Sequence, residues 1–138
     1  MEATRKPASE MTPRELGSAG EGICARFLER HGFEVLERNW RCHVGEVDVV
    51  AVSPEGDRVL VEVKTRLALG AGDLVPELAV DAGKLARYRR LARVYLADHA
   101  DVEAVRFDVA GVSMVGERQA HIRYYEGVDI GELAGDVA

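Results

Sequence analysis

Gly45 to Arg66 read GEVDVVAVSPEGDRVLVEVKTR. Two valine-rich runs flank Ser53-Pro54-Glu55-Gly56-Asp57, and those five residues carry the turn chemistry of an antiparallel hairpin. Side chains alternate along a strand. Val47, Val49 and Ala51 therefore share one face with Val59, Val61 and Val63, and that face is wholly aliphatic. On the other face lie Glu46, Asp48, Val50 and Val52, with Leu60, Glu62, Lys64 and Arg66. That face is apolar near the turn and charged at the far end. If Val52 pairs with Arg58, then Val50 meets Leu60, Asp48 meets Glu62 and Glu46 meets Lys64. This register keeps apolar opposite apolar; a slip of one residue would separate the sets.

Like charges directly opposite on a sheet are destabilising. Shielded from water, they require a bound proton or a neutralising cation. Carboxylate oxygens without His or Cys nearby suit a hard cation, Mg²⁺ or Mn²⁺. Such an ion can activate water and stabilise charge at phosphorus, and a lysine beside it can assist either task. The same alternation also fits a solvated sheet face with cross-strand pairs such as Glu46–Lys64.

Around the hairpin the pattern continues. Thr12-Pro13-Arg14-Glu15 predicts a capped helix start, and Gly32 predicts its stop after His31. Leu16, Gly20, Ile23, Cys24, Phe27 and Leu28 form its apolar stripe. Gly17, Gly20 and Gly22 weaken this helix and suggest close approach of another backbone. GSAGEG follows no strand and lacks the Lys-Ser/Thr ending of a phosphate loop. Residues 33–40, 43–52 and 57–66 read as three strands. Asp81 caps a second helix running to about His99, with Leu85, Tyr88, Leu91, Ala92, Tyr95 and Leu96 on its apolar face. Arg87, Arg90 and Arg93 point mostly away from that face. Lys84 lies towards it, as a snorkelling stem or something more specific. Residues 104–115 and 120–125 read as strands four and five. The expected fold is α/β, with a mixed sheet flanked by helices. Residues 1–11 and 126–138 are expected to be flexible ends of one domain at 12–125.

Composition narrows the function classes. The chain has 138 residues, 47% apolar and 30% charged, which suits one domain with an aliphatic core. No apolar run approaches the ~20 residues of a membrane helix, and MEATRKPASEM lacks a signal-peptide stretch. The expected compartment is the cytoplasm. Cys24 and Cys42 form no metal-binding pair and read as reduced thiols. The net charge is −6, yet Lys84 to Arg93 hold five cations and no acid.

At the hairpin the sequence becomes recognisable. Asp48 followed by Glu62-Val63-Lys64 resembles the D…(D/E)xK signature of the PD-(D/E)XK nuclease superfamily. GEVDVVA and VEVKTR resemble more narrowly the YraN-type family of small bacterial proteins, itself similar to archaeal Holliday-junction resolvases. GEGICARFLERHGFEVLERNWR, VDAGKLARYRRLARVYL and RFDV extend the likeness from about Gly17 to about Val112. Beyond Val115 it is loose. The resemblance implies a restriction-endonuclease-like αβββαβ core and a metal-dependent endonuclease acting on DNA. It implies Asp48 and Glu62 as ligands of Mg²⁺ or Mn²⁺, with the Val63 carbonyl adding another. Lys64 becomes the catalytic lysine, and Glu46 a supporting residue behind the ligands. Glu21 matches a further acidic position of the superfamily; it lies about 20° round the helix from Leu28, within reach of the sheet or of solvent. Lys84 also matches a family position. Arg38, Arg41, Arg66, Lys84, Arg87 and Arg90 could meet nucleic-acid phosphates. Trp40 could stack on a base or belong to the core. A branched substrate would favour a homodimer. A nucleic-acid-binding module that keeps the fold without cutting is the alternative, and a scaffold with exposed hairpin charges is a third reading.

Overall fold

Thr12 opens the first helix as its sequence predicts. In the computed structural model, which describes residues 6–68, 82–115 and 119–128, its side chain accepts from the Glu15 N–H. The Glu15 carboxylate accepts from the Thr12 N–H in return. This capping box starts α1 (Pro13–Arg30). Gly32, at φ 88°, ends the turn after it. Three strands follow, β1 (Glu34–Cys42), β2 (Gly45–Val52) and β3 (Arg58–Ala68). Then come α2 (Ala82–Asp98), β4 (Val105–Val115) and β5 (Gln119–Tyr125). The Asp81 cap and most of the connection before α2 lie outside the described residues.

The strands form one sheet in the order β1-β2-β3-β4-β5. All neighbours are antiparallel except β3 and β4, which run parallel on either side of α2. The αβββαβ core expected from the resemblance is therefore present, with β5 added at one edge.

α1 covers one face of the sheet. Cys24 and Leu28 pack there on Val49, Ala51, Val59, Val61 and Ala110. α2 covers the other face, where Tyr88, Leu91, Ala92 and Tyr95 pack on Val50, Leu60, Phe107 and Val109. β3 and β4 are thus covered on both sides, which explains their nearly unbroken apolar runs.

Of the three glycines in α1, one answers to close approach. A Cβ on Gly20 would stand 1.8 Å from Thr65 Oγ1, so a side chain there would push α1 off β3. Gly17 has nothing within 4 Å, and Gly22 has ordinary contact distances. At the amino-terminal end, Ala8 is buried beside Val112 and Met114 within a short 3₁₀ turn. At the other end, Val128 N–H donates to the Phe107 carbonyl at 2.7 Å.

The hairpin register corrects the simplest reading of the sequence. Val52 pairs with Arg58 and Val50 with Leu60, as expected, but the ladder is paired only as far as Val49–Val61. Asp48 and Glu62 are not backbone partners. The alternation itself turns over at this point. Val49 belongs to the α1 layer, while Val47, two residues away, belongs to the α2 layer. A regular strand would keep both on one face. β1 turns over at the same level. Arg38 reaches α1, where its Nη2 donates to the Ser18 carbonyl at 3.1 Å. Trp40 packs edge-on against Tyr95 of α2, at 5.1 Å between centroids.

Candidate active site

Where β2 leaves β3, a side chain replaces the missing ladder bond. Asp48 Oδ2 accepts the Val63 N–H at 2.7 Å. The carboxylate therefore points into the gap between the strands and not onto the sheet face assigned to it by strict alternation. Glu62 lies on the α2 side. Its Oε1 accepts from Arg87 Nη2 at 2.5 Å, and its Oε2 accepts from the Tyr88 hydroxyl at 2.9 Å. Glu21 approaches from the α1 side. Its Oε1 accepts from Asn39 Nδ2 at 3.0 Å and lies 3.5 Å from Arg38 Nη2. Gly20, seated against Thr65, brings this turn of α1 close to β3.

The electrostatics converge on Asp48. Burial pushes its carboxyl up to about 7 from the usual 3.8. The Val63 N–H acts against that rise, and the charges of Glu21, Glu62 and Glu46 add to it. Among the described residues, no cation pairs with Asp48. Each neighbouring acid has one: Glu62 has Arg87, Glu21 has Arg38, and Glu46 has Arg41 at 3.6 Å. The carboxylate whose burial raises its proton affinity is thus, among the described residues, the one without a counter-ion.

The remaining sequence-predicted residues are placed as follows. Lys64 is exposed and follows Glu62 by two residues on β3. Arg87, expected among the cations for phosphates, has its guanidinium on Glu62 and over the Tyr88 ring. Arg38 and Arg41 are exposed but engaged with acids, and Arg90 is exposed. Arg66 and Lys84 are partly buried. Trp40 is half-buried against the α2 layer.

Two residues at the site carry no signal in a period-two reading. Tyr88 appears in the sequence only as part of an apolar face, yet its hydroxyl holds Glu62. Asn39 appears only as a polar residue in a strand, yet it holds Glu21. A third group lies farther along the sheet. Asp108 is fully buried and accepts from Arg106 Nε and Nη2 at 3.0 Å each, from Tyr124 at 2.5 Å and from Gly127 N–H at 2.8 Å. Only the RFDV motif hints at it.

A metal ion would meet an all-oxygen environment. No three His, Cys, Asp or Glu side chains group closely enough for a metal among the described residues. A metal held here would have at most two carboxylate donors, Asp48 and Glu62, and would need backbone oxygen and water to complete its shell. That composition fits Mg²⁺ or Mn²⁺, which keep several waters and use one or two carboxylates. The unpaired charge of Asp48 fits it as well.

Residues 20–112 match the uncharacterised protein family UPF0102. A UPF0102 protein of Beutenbergia cavernae is 46% identical over 114 residues, covering 82% of this chain and 94% of that protein. One from Mycolicibacterium smegmatis is 41% identical over 122 residues, covering 87% and 97%. The chain belongs to the UPF0102 family. This is the YraN-type likeness carried by GEVDVVA and VEVKTR, and all of Asn39, Asp48, Glu62, Lys64 and Asp108 fall inside the matched region. Two solved structures are similar at lower levels. A repair endonuclease from Pyrococcus abyssi is 22% identical, with a TM-score of 0.43, over 65% of this chain and 35% of that one. EndoMS in complex with double-stranded DNA is 16% identical, with a TM-score of 0.41, over 81% and 37%. No helix among the described residues of this UPF0102 chain is long and apolar enough to cross a membrane.

Proposed function

We propose that this protein is a divalent-metal-dependent endonuclease that hydrolyses phosphodiester bonds in DNA, with branched DNA as the preferred class. The observation that carries this reading is Asp48: a partly buried carboxylate, bound by one backbone donor, crowded by three acids and without a counter-ion among the described residues. The Val63 N–H bond gives Asp48 a structural task, but that task needs only an acceptor and not a charge, whereas a metal ligand needs the charge. The D…ExK spacing on adjacent strands adds to it.

Asp48 and Glu62 would hold Mg²⁺ or Mn²⁺, with the Val63 carbonyl beside them. The ion would supply positive charge to the phosphate and a more acidic water. The Val63 N–H fixes one oxygen of Asp48 and leaves the other for a ligand. Arg87 and Tyr88 orient Glu62 from α2. Lys64, exposed two residues beyond Glu62, would donate to the attacking water or to a phosphoryl oxygen as negative charge builds. Water would attack phosphorus and release a proton to solvent, the bond from phosphorus to the leaving oxygen would break, and that oxygen would take up a proton from solvent. Glu21 supports the site from α1. The basic stretch of α2, with Arg38, Arg41 and Arg66, would bring phosphates to the site, and binding would weaken steeply with salt. A symmetric homodimer would suit paired cuts in a junction.

The deciding experiment compares the wild type with Lys64→Ala on junctions, flaps, single strands, duplex DNA and RNA, with Mg²⁺ or Mn²⁺. Cleavage by the wild type and a loss of about 100-fold or more in the variant are expected. Equal activity would remove Lys64 from the mechanism. A second reading, a nucleic-acid-binding module that does not cut, is favoured by one observation: Arg87 and Tyr88 already occupy both oxygens of Glu62. Salt-sensitive binding with no cleavage in either protein across the panel would select it.

A further inference from the structure

Asn39 is the one non-glycine residue with positive φ, 57°, among the described residues. It sits in the middle of β1, between Arg38, which pairs with Val49, and Trp40, which pairs with Val47. Its position is therefore level with Asp48. A left-handed residue inside a strand rotates the chain out of its pleat, and asparagine tolerates that conformation better than other residues with a Cβ. Both strands turn over here. Arg38 and Val49 belong to the α1 side, and Trp40 and Val47 to the α2 side. This inversion frees Asp48 from both sheet faces and lets it point at Val63. The side chain of the same residue performs a second task. Nδ2 donates to Glu21 Oε1 at 3.0 Å, and a carboxylate can only accept, so the amide must present its NH₂ group there.

From this geometry we infer that Asn39 is the positioning residue of the acidic site. Its backbone turns Asp48 into the gap between β2 and β3, and its amide holds Glu21 beside Asp48. The inference rests on the reading of the site as a metal centre and adds a residue to it. It explains two features at once: the broken alternation, and an α1 carboxylate held at the sheet by a side-chain amide. Arg38 alone would not suffice, because its guanidinium lies 3.5 Å from Glu21 and also serves the Ser18 carbonyl.

Asn39→Gly separates the two tasks, since glycine keeps the left-handed backbone and removes the amide. Asn39→Asp also tolerates the backbone but turns a donor into a charge facing Glu21. Mn²⁺ affinity, measured by calorimetric titration of the full chain, is expected to fall about 10-fold or more in Asn39→Gly, as for residues that orient metal ligands elsewhere. Asn39→Asp should lose at least as much. Glu21→Ala should show a similar loss, and the Asn39→Gly/Glu21→Ala double variant should lose no more than either single change. Wild-type affinity in Asn39→Gly, or losses that add in the double variant, would overturn the inference. Urea denaturation of the wild type, Asn39→Gly, Glu21→Ala and the double variant supplies a readout that needs no metal. Non-additive shifts of the midpoint are expected, and additive shifts overturn the Asn39–Glu21 link. Absence of Mn²⁺ binding by the wild type would instead overturn the metal-centre reading, and the urea cycle would still decide the link.

Discussion

Asp48→Asn removes the charge and keeps a side-chain oxygen to accept the Val63 N–H. The sign of its effect follows from the raised titration of the carboxyl. Between the usual 3.8 and about 7, the folded chain binds a proton that the unfolded chain has released. Stability contributed by Asp48 therefore declines as pH rises through that window and is flat above it. Each pH unit of displacement corresponds to about 1.4 kcal/mol. Full burial would give about 4 kcal/mol, and the partial exposure of Asp48 lowers this to roughly 2–3 kcal/mol. In chelator, at pH 8, Asp48→Asn should then be more stable than wild type by that amount, or about 6–10 °C in Tm. Near pH 4 the two should melt together. The difference between the two curves isolates Asp48 from all other titrations. Saturating Mg²⁺ or Mn²⁺ should restore the wild type by ~2.7 kcal/mol at a hundred times Kd and leave Asp48→Asn unmoved. Thermal melts by circular dichroism across pH 4–8, with and without metal, measure both effects. Parallel pH profiles, or equal stabilisation of both proteins by the ion, would refute the reasoning.

Three further outcomes follow from other parts of the sheet. Gly20→Ala would set a methyl group 1.8 Å from Thr65 Oγ1. Overpacking of ~1–3 kcal/mol should outweigh the ~1 kcal/mol gained in helix propensity, so urea midpoints should fall; a rise would show that α1 can shift freely. Arg87→Gln removes the guanidinium that orients Glu62 and should weaken Mn²⁺ binding about ten-fold, along with binding to duplex DNA; tighter Mn²⁺ binding would mean that Arg87 competes with the ion for Glu62. Asp108→Ala leaves Tyr124 and the Gly127 N–H without their acceptor and Arg106 with only Asp57 and Glu126. It should cost about 3–5 kcal/mol by denaturant unfolding, and a loss below 1 kcal/mol would contradict the buried network.

Much of this fold can be read from local chemistry. The capping box at Thr12 and Glu15 and the Gly32 stop fix α1 to within a residue at each end. The apolar faces of α1 and α2 are the faces that pack. The five turn residues at 53–57 define the hairpin, and apolar matching then sets Val50 opposite Leu60. The site is less legible, for a definite reason. Alternation assumes a regular pleat, and the pleat is broken at Asn39 and Asp48. A single asparagine in a strand is too weak a signal to predict φ of 57°. Arg87 misleads because helical phase places it off the apolar face, while its long side chain returns past Tyr88 to Glu62. Asp108 is hidden because its partners come from Arg106, Tyr124 and Gly127, and only the folded sheet brings β5 and the following loop to β4.

Two aspartates in the same sheet differ in how the fold serves their charge. Asp108 is completely buried, yet four donors surround it: a bidentate arginine, a tyrosine hydroxyl and a backbone N–H. Its charge is neutralised where it stands, as a fold must arrange when it buries an acid for its own stability. Asp48 is less buried and worse served. One N–H binds it, no described cation faces it, and three acids raise its proton affinity. Arginines do lie nearby, since Arg38, Arg41 and Arg87 each attend a neighbouring acid. Those three cations pair with Glu21, Glu46 and Glu62, and among the described residues none pairs with Asp48. Around that vacancy in charge the backbone also breaks its pleat, so conformational and electrostatic costs coincide at one position. Local rules that fail together at one point, in a sheet that obeys them elsewhere, mark the place where function and stability compete. An ion bound to Asp48 would relieve the electrostatic cost, and the proposed metal role of Asp48 rests on that cost more than on the motif it belongs to.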